Sequence, residues 1–179
     1  MDIQKKPGSS VSRDVDWFVA SVAGFAAGAV MMVLELAWAA SMSDAGPWRV
    51  TQLIAALTLD SAATLRAPAS QFNLTTVAVA LATHYALGIV SGCVLAWILT
   101  AIHRVGMIGV AEAVGGTFGA VIYLVNFHLL TAWAPWFAEM RGWGTFLLHV
   151  IFGLVAAVLY TWLFKYRRGA AAGAAAGSA

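Results

Sequence analysis

Residues 24–30 read GFAAGAV and residues 115–121 read GGTFGAV, so a Gly-x-x-x-Gly-Ala-Val pattern occurs twice, 91 residues apart. A second pattern, His-x-x-x-Gly, begins at His84 and again at His149, 65 residues later. Both patterns occur in the same order in each half of the chain. This order predicts two repeated helical hairpins, each with a glycine-rich helix followed by a histidine-bearing helix.

The composition is typical of a membrane protein. Of the 179 residues, 61% are hydrophobic and 10% are charged, whereas soluble domains carry about 25% charged residues. Four apolar stretches are long enough to cross the hydrocarbon core, at 17–40, 74–102, 105–132 and 145–164. We therefore predict an all-α integral membrane four-helix bundle over residues 17–168, after a polar cytoplasmic N-terminus at 1–16. The Ala/Gly-rich residues 169–179 are predicted to be disordered.

A segment between the first two spans has no counterpart in the second half. The two offsets differ by 26 residues, which is the length of the insertion in the first half. Within residues 48–65, four apolar side chains follow the i, i+3, i+4, i+7 spacing of one helix face: Val50, Leu53, Ile54 and Leu57. The spacing predicts a short amphipathic helix on the membrane surface.

The distribution of basic residues predicts the orientation in the membrane. Seven fall on one side of the spans: Lys5, Lys6, Arg13, Arg104, Lys165, Arg167 and Arg168. Three fall on the other side: Arg49, Arg66 and Arg141. The positive-inside rule therefore predicts that both termini are cytoplasmic. The formal net charge of +2 is too small to indicate a nucleic-acid partner.

Glycines predict where the helices pack closely, because small residues four positions apart let backbones approach each other. We expect the first and third spans to approach closely through one set: Gly24, Gly28, Gly115 and Gly119. We expect the second and fourth spans to do the same through the other set: Gly88, Gly92, Gly153 and Ala157.

Four polar side chains are predicted to share one layer in the outer third of the membrane. At about 1.5 Å of rise per residue, each lies roughly 24–30 Å from the cytoplasmic side. They are Glu35, His84, Asn126 and His149. Glu35 shares a helix face with Gly28, and His84 shares one with Gly88. If the glycine faces point inward, the four polar side chains point at one another.

Three roles remain open for this cluster. It can lock the helices through hydrogen bonds, which contribute about 0.6 kcal/mol on average in membranes. It can hold a proton, an ion or a metal, since Glu35, His84 and His149 offer a carboxylate and two imidazoles, a set suited to Zn, Cu or Fe. It can bind b-type haem through the two histidines, with Gly88 and Gly153 clearing space for the macrocycle.

The sequence does not favour an enzyme, because no phosphate-binding loop, catalytic triad or Cys-x-x-Cys motif occurs in it. Glu139 and Arg141 are expected to form a solvated loop pair that adds little stability. The function we expect is that of an accessory or small transport component, with a haem-binding electron carrier as the alternative. The expected partners are the lipid bilayer and either another membrane protein or a second copy of the chain.

The first span is rich in glycine and contains a methionine, at Gly24, Gly28 and Met31. The second and fourth spans each contain His-x-x-x-Gly, at His84 and Gly88 and at His149 and Gly153. This layout resembles a group of small bacterial four-helix inner-membrane proteins of uncharacterised function. The resemblance covers the spans but not residues 41–73. It implies a bacterial inner membrane and no particular activity.

Overall fold

The computed structural model describes residues 14–69, 71–102, 105 and 107–177. Three predictions fall wholly or partly outside the described residues. These are the polar N-terminus as far as residue 13, the end of the Ala/Gly tail at 178–179, and four of the basic residues used for orientation, Lys5, Lys6, Arg13 and Arg104.

Four helices in the described part of the chain are long and apolar enough to cross a membrane. The helices, in chain order, are α1 (Trp17–Met42), α2 (Pro47–Ala55), α3 (Ser61–Arg66), α4 (Leu74–Ala101), α5 (Ile108–Leu124) and α6 (Trp143–Gly177). Between α5 and α6 come a π-helical turn at Val125–Leu129 and 3-10 segments at Leu130–Ala132 and Pro135–Met140. The prediction of an all-α fold with four apolar helices of membrane-spanning length is confirmed.

Polar side chains mark the starts of the first two spans. The Asp16 carboxylate accepts a hydrogen bond from the Val19 backbone N–H at 3.1 Å, and the Asn73 side-chain oxygen accepts one from Thr76 at 2.9 Å. Each bond satisfies an N–H group that a helix start leaves without an intrahelical partner. Gly46, with a φ of 71°, makes the chain reversal between α1 and α2, a conformation that favours glycine.

The closest helix contacts lie within each hairpin. Helix α1 packs against α4 and α6, and α5 packs against α6. A Cβ on Gly24 would overlap the backbone carbonyl of Gly88 on α4, and a Cβ on Gly115 would overlap that of Gly153 on α6. The predicted approach of the first span to the third, and of the second to the fourth, through these glycines is therefore wrong. The physical reason is that spans consecutive in the chain lie side by side, so each glycine stripe meets the stripe on the next span.

The insertion in the first hairpin forms two short helices, where the spacing predicts one. Every residue at positions 50–55 of α2 is buried, whereas α3 has no buried residue. Helix α2 packs against α1 and α4, and Trp136 Nε1 donates a hydrogen bond to the Leu53 carbonyl at 3.0 Å. Helix α2 therefore covers the end of the bundle that is opposite to the chain termini, which we call the far end.

Helix α6 continues to Gly177. Residues 169–177 are therefore helical, where the composition predicts disorder. Residues 169–176 are exposed, and six of them are alanines. Because alanine has the highest intrinsic helix propensity, it extends the helix beyond the apolar span.

Candidate functional site

The four polar residues that the sequence places at one depth line one cavity, which we call the buried cavity. Its volume is about 60 Å³, and its polar lining residues are Glu35, His84, Asn126 and His149. They come from four segments of the chain: α1, α4, the π-helical turn and α6. A neighbouring space of about 70 Å³ is lined by both histidines and Asn126. A space of this size holds roughly two water molecules.

Glu35 is the buried carboxyl group of the site. It is 4% exposed, and its Oε1 atom is buried without a hydrogen-bond partner in the described part of the protein. A charge in hydrocarbon costs at least about 2.5–3.5 kcal/mol, and a buried polar atom without a partner costs about 1–3 kcal/mol. Glu35 is therefore expected to hold a proton or to bind a cation.

Each histidine holds one ring nitrogen against a backbone carbonyl. His84 Nε2 donates to the Gly28 carbonyl at 2.9 Å, across the contact between α1 and α4. His149 Nδ1 donates to the Thr145 carbonyl at 2.8 Å, within α6. Because a carbonyl oxygen only accepts, these nitrogens carry the hydrogen atoms of the neutral rings. The other two nitrogens, His84 Nδ1 and His149 Nε2, keep lone pairs that accept a proton or a hydrogen bond.

Asn126 belongs to the π-helical turn at Val125–Leu129. Such turns interrupt the regular hydrogen bonds of an α-helix and occur frequently at functional sites. Arg141 Nε donates a hydrogen bond to the carbonyl of Phe127 in this turn, and Arg141 Nη2 donates to Thr131 Oγ1 at 3.0 Å. Arg141 therefore stabilises the turn that carries Asn126 to the wall of the buried cavity.

A larger cavity of about 290 Å³, which we call the mouth cavity, lies at the far end of the bundle. Its charged lining residues are Glu35, Arg49, Glu139 and Arg141. Glu35 and Met140 line both this cavity and the buried cavity. Glu35 is therefore the charged group at the boundary between the two spaces.

Two charged residues of the mouth cavity bind partners other than those that the sequence predicts. Glu139 and Arg141 do not form the predicted solvated pair. Glu139 instead accepts two hydrogen bonds from Arg49, at 3.0 and 2.8 Å, and Arg141 binds the Phe127 carbonyl. Arg49 and Glu139 are 90 residues apart, so no local spacing relates them. The one feature of the sequence that points to this contact is the 26-residue insertion, because it carries Arg49 to the far end of the bundle.

Apolar side chains cover the buried cavity at the far end. Two come from the insertion and two from the 3-10 segment at Pro135–Met140: Ile54, Leu57, Phe137 and Met140. The insertion and the 3-10 segment are tied together by the Trp136 hydrogen bond and by the Arg49–Glu139 ion pair. The insertion therefore acts as a cover over the buried cavity at the far end, and Glu35 is the one member of the polar cluster that also lines the mouth cavity.

The residues do not fit a haem group. Gly88 and Gly153 are predicted to clear space for the macrocycle, but helix backbone fills that space. A Cβ on Gly88 would lie 3.1 Å from the Gly24 carbonyl oxygen, and one on Gly153 would overlap the Gly115 carbonyl. The two spaces that both histidines line measure about 60 and 70 Å³, well below the roughly 300 Å³ at which sites for larger organic ligands begin.

The metal prediction rests on Glu35, His84 and His149 as three ligands. Within residues 14–69, 71–102, 105 and 107–177, no group of three or more His, Cys, Asp and Glu side chains is placed to hold a metal ion. These three residues line the same cavity, but they are not arranged as a ligand set.

Comparison of the chain with protein-family models, curated proteins and solved structures gave no match. The resemblance to small bacterial inner-membrane proteins therefore stays a prediction, and the interpretation of the site depends on the residues of this chain alone.

Proposed function

We propose that this chain is a small transport-type or accessory membrane protein in which Glu35 passes a proton or a small cation between the mouth cavity and the buried cavity. One observation carries the proposal. Glu35 lines both spaces, and its carboxyl group has a buried oxygen atom without a protein partner among the described residues. The four apolar helices indicate a multi-pass protein in a lipid bilayer.

The buried cavity supplies acceptors for a proton that leaves Glu35. His84 Nδ1 and His149 Nε2 have lone pairs, because the other nitrogen of each ring donates to a backbone carbonyl. A space of about 60 Å³ holds water molecules that bridge polar groups. The proposed path therefore runs from the mouth cavity to Glu35 and then through water to the histidines.

We further propose an orientation in the membrane. Both termini lie in the cytoplasm and the mouth cavity opens to the opposite side of a bacterial inner membrane. The seven-to-three distribution of basic residues supports this orientation, and the resemblance stated above supports the bacterial inner membrane. The covered far end then faces the periplasmic side, and α2 lies at that interface.

We also propose that the two hairpins are copies of one unit. Equivalent glycines make equivalent contacts in the two halves: Gly24 faces Gly88 and Gly115 faces Gly153. The histidines of the two repeated motifs line the same cavity. A duplicated hairpin explains why polar groups from both halves meet at one depth.

Carbodiimide labelling tests whether Glu35 is a protonated, accessible carboxyl group. Dicyclohexylcarbodiimide enters apolar phases and adds to protonated carboxyl groups there, so the wild-type protein should gain one adduct that maps to Glu35 by mass spectrometry. The Glu35→Gln variant should lose the adduct. Glu112→Gln is the control, because Glu112 is exposed on α5 and lies outside both cavities, so this variant should keep the adduct.

Proton flux tests the proposed function itself. In vesicles that contain a pH-sensitive dye, an imposed voltage should drive proton entry through the wild-type and Glu112→Gln proteins. Flux through Glu35→Gln should fall to that of empty vesicles, because an amide carries no exchangeable acid proton. If wild type and Glu35→Gln show equal flux, and His84→Ala only lowers the melting temperature, the cluster is a helix lock and the proposal fails.

A further inference from the structure

The charges of the mouth cavity do not all pair with one another. Its four charged lining residues are Glu35, Arg49, Glu139 and Arg141. Arg49 and Glu139 form a two-point ion pair, with distances of 3.0 and 2.8 Å. A second ion pair in the described part of the chain, Arg167–Asp16, lies away from this cavity, near the chain termini. Among the described residues, Glu35 and Arg141 have no ion-pair partner, so one negative group and one positive group can attract a ligand.

The two available groups differ in burial. Glu35 is 4% exposed and has a buried oxygen atom without a partner. Arg141 lines the cavity and is exposed, and its guanidinium group donates hydrogen bonds to the Phe127 carbonyl and to Thr131 Oγ1. The stronger interaction with a ligand is therefore expected at Glu35, because charges interact more strongly away from water.

The remaining wall of the mouth cavity is largely apolar. Val50, Leu53 and Leu148 contribute aliphatic surface, and Trp38 contributes an aromatic ring. The Trp38 ring packs against Gly144, where an added Cβ would lie 2.6 Å from the ring. A ligand in this space thus meets apolar surface between a negative group and a positive group.

We propose that the mouth cavity binds a small zwitterion, with its ammonium group at Glu35 and its acid group at Arg141. The inference rests on the proposed role of Glu35 in holding a cation, and it names the class of that cation. The volume of about 290 Å³ is close to the lower end of ordinary small-molecule sites. Free amino acids and phosphoethanolamine lipid headgroups share this zwitterionic chemistry.

The ligand competes with a proton at Glu35, because only the ionised carboxylate attracts an ammonium group. Binding should therefore weaken as the pH falls. The other ionisable groups that face Glu35 from the packed segments are Arg49, Glu139 and Arg141 in the mouth cavity, and His84 and His149 in the buried cavity. Protonation of either histidine would add positive charge beside the ammonium group, so it acts in the same direction.

The test uses three probes with the same four-carbon chain on the full-length protein in a nonionic detergent: 4-aminobutyrate, butylamine and butyrate. Calorimetric titration should show the tightest saturable binding for 4-aminobutyrate. Because Arg141 is exposed, the acid group should add little affinity, so 4-aminobutyrate should bind only about twofold to fivefold more tightly than butylamine. Glu35→Gln should lower the affinity for 4-aminobutyrate about thirtyfold or more, and Glu112→Gln should leave this affinity unchanged.

The Arg141→Gln variant isolates the second contact. It should bind 4-aminobutyrate and butylamine equally, and this comparison of two ligands in one variant does not depend on the fraction of folded protein. Equal binding of the two ligands by the wild type, or no saturable binding of either, would overturn the inference. Loss of the zwitterion preference with intact carbodiimide labelling of Glu35 refutes this inference alone and leaves the proposed function standing.

A fourth probe distinguishes the two sources of the ligand. Glycerophosphoethanolamine carries the zwitterionic headgroup without acyl chains. If it binds more tightly than 4-aminobutyrate, the site is assigned to a lipid headgroup. If it binds more weakly, the site is assigned to a free amino acid, and both results support a zwitterion site.

Discussion

The two hairpins have equally close helix contacts at Gly24 and Gly115. One helical turn further along, at Gly28 and Gly119, the distance between the paired helices differs. A Cβ on Gly28 would find its nearest neighbour at 3.7 Å, the Nε2 atom of His84. A Cβ on the corresponding Gly119 would overlap the backbone carbonyl of His149. In the first hairpin an imidazole ring fills the gap between the helices, whereas in the second hairpin the backbones touch.

This difference in helix spacing decides what each histidine binds. In the first hairpin the gap lets His84 reach across to the Gly28 carbonyl. In the second hairpin no gap is present, and His149 binds the Thr145 carbonyl of its own helix. One sequence motif therefore gives one hydrogen bond between helices and one within a helix, because a few ångströms of separation decide which carbonyl is within reach.

The largest expected effect comes from adding one methyl group at the closer contact. Gly119→Ala should lower the free energy of unfolding by about 3 kcal/mol, because the obstacle is backbone that cannot move aside. Gly28→Ala is the matched variant in the other hairpin. It should change stability little or raise it by up to about 1 kcal/mol, since alanine favours a helix over glycine. Thermal unfolding in detergent, followed by circular dichroism, measures both.

Equal losses of unfolding free energy in Gly119→Ala and Gly28→Ala would contradict the difference in helix spacing. A small loss in Gly119→Ala alone would mean that α5 and α6 separate easily, and the two hairpins would then be alike.

A smaller effect is expected at the π-helical turn, which only the second hairpin has among the described residues. Arg141→Gln removes the Nε donor to the Phe127 carbonyl, and a buried polar group without a partner costs about 1–3 kcal/mol. Amide hydrogen exchange at Val125–Leu129 should therefore become faster, while exchange in α1 stays the same. Arg141→Lys should fall between the wild type and Arg141→Gln.

Unchanged exchange in the turn would show that the arginine does not stabilise it. Equally faster exchange in α1 and in the turn would indicate general destabilisation and would remove the contrast between the hairpins.

The smallest effect is expected at the ion pair that joins the first hairpin's insertion to the second hairpin. The side chains of Arg49 and Glu139 are 20% and 49% exposed, so Glu139→Gln should cost only about 0.2–1 kcal/mol. Because salt screens exposed charges, the loss should shrink at high ionic strength. Melting temperatures at low and high salt check this, with Glu112→Gln as the control.

A salt-independent loss of about 3 kcal/mol or more would instead resemble a buried pair. That result would mean that the cover over the buried cavity depends on this contact, and that the two hairpins are joined more strongly than the exposure of the pair implies.

The four spans could be predicted because each depends on local composition. A run of apolar residues long enough to cross the bilayer must be helical, since lipid offers no partners to the backbone. The depth of Glu35, His84, Asn126 and His149 follows from the same helical rise. For this reason the sequence could place them in one layer, and all four line one cavity.

Which helices and side chains contact each other could not be predicted in the same way. The glycines predict close contacts but not the partner helix, because a glycine stripe fits any matching groove. The ion pair of Arg49 with Glu139 links positions 90 residues apart, and no spacing in the sequence relates them. The role of Arg141 depends on the Phe127 carbonyl, which is available only where the helix changes to a π-helical turn.

The sequence by itself determined that this protein has four apolar helices, two glycine-rich motifs and one layer of polar groups, because these properties arise from local periodicity and from the low polarity of lipid. Only the tertiary structure decided that the glycines pack within each hairpin, that the two histidines bind different kinds of carbonyl, and that Glu35 lies between two cavities. Those properties depend on distances between helices, which are set by the packing of many side chains at once.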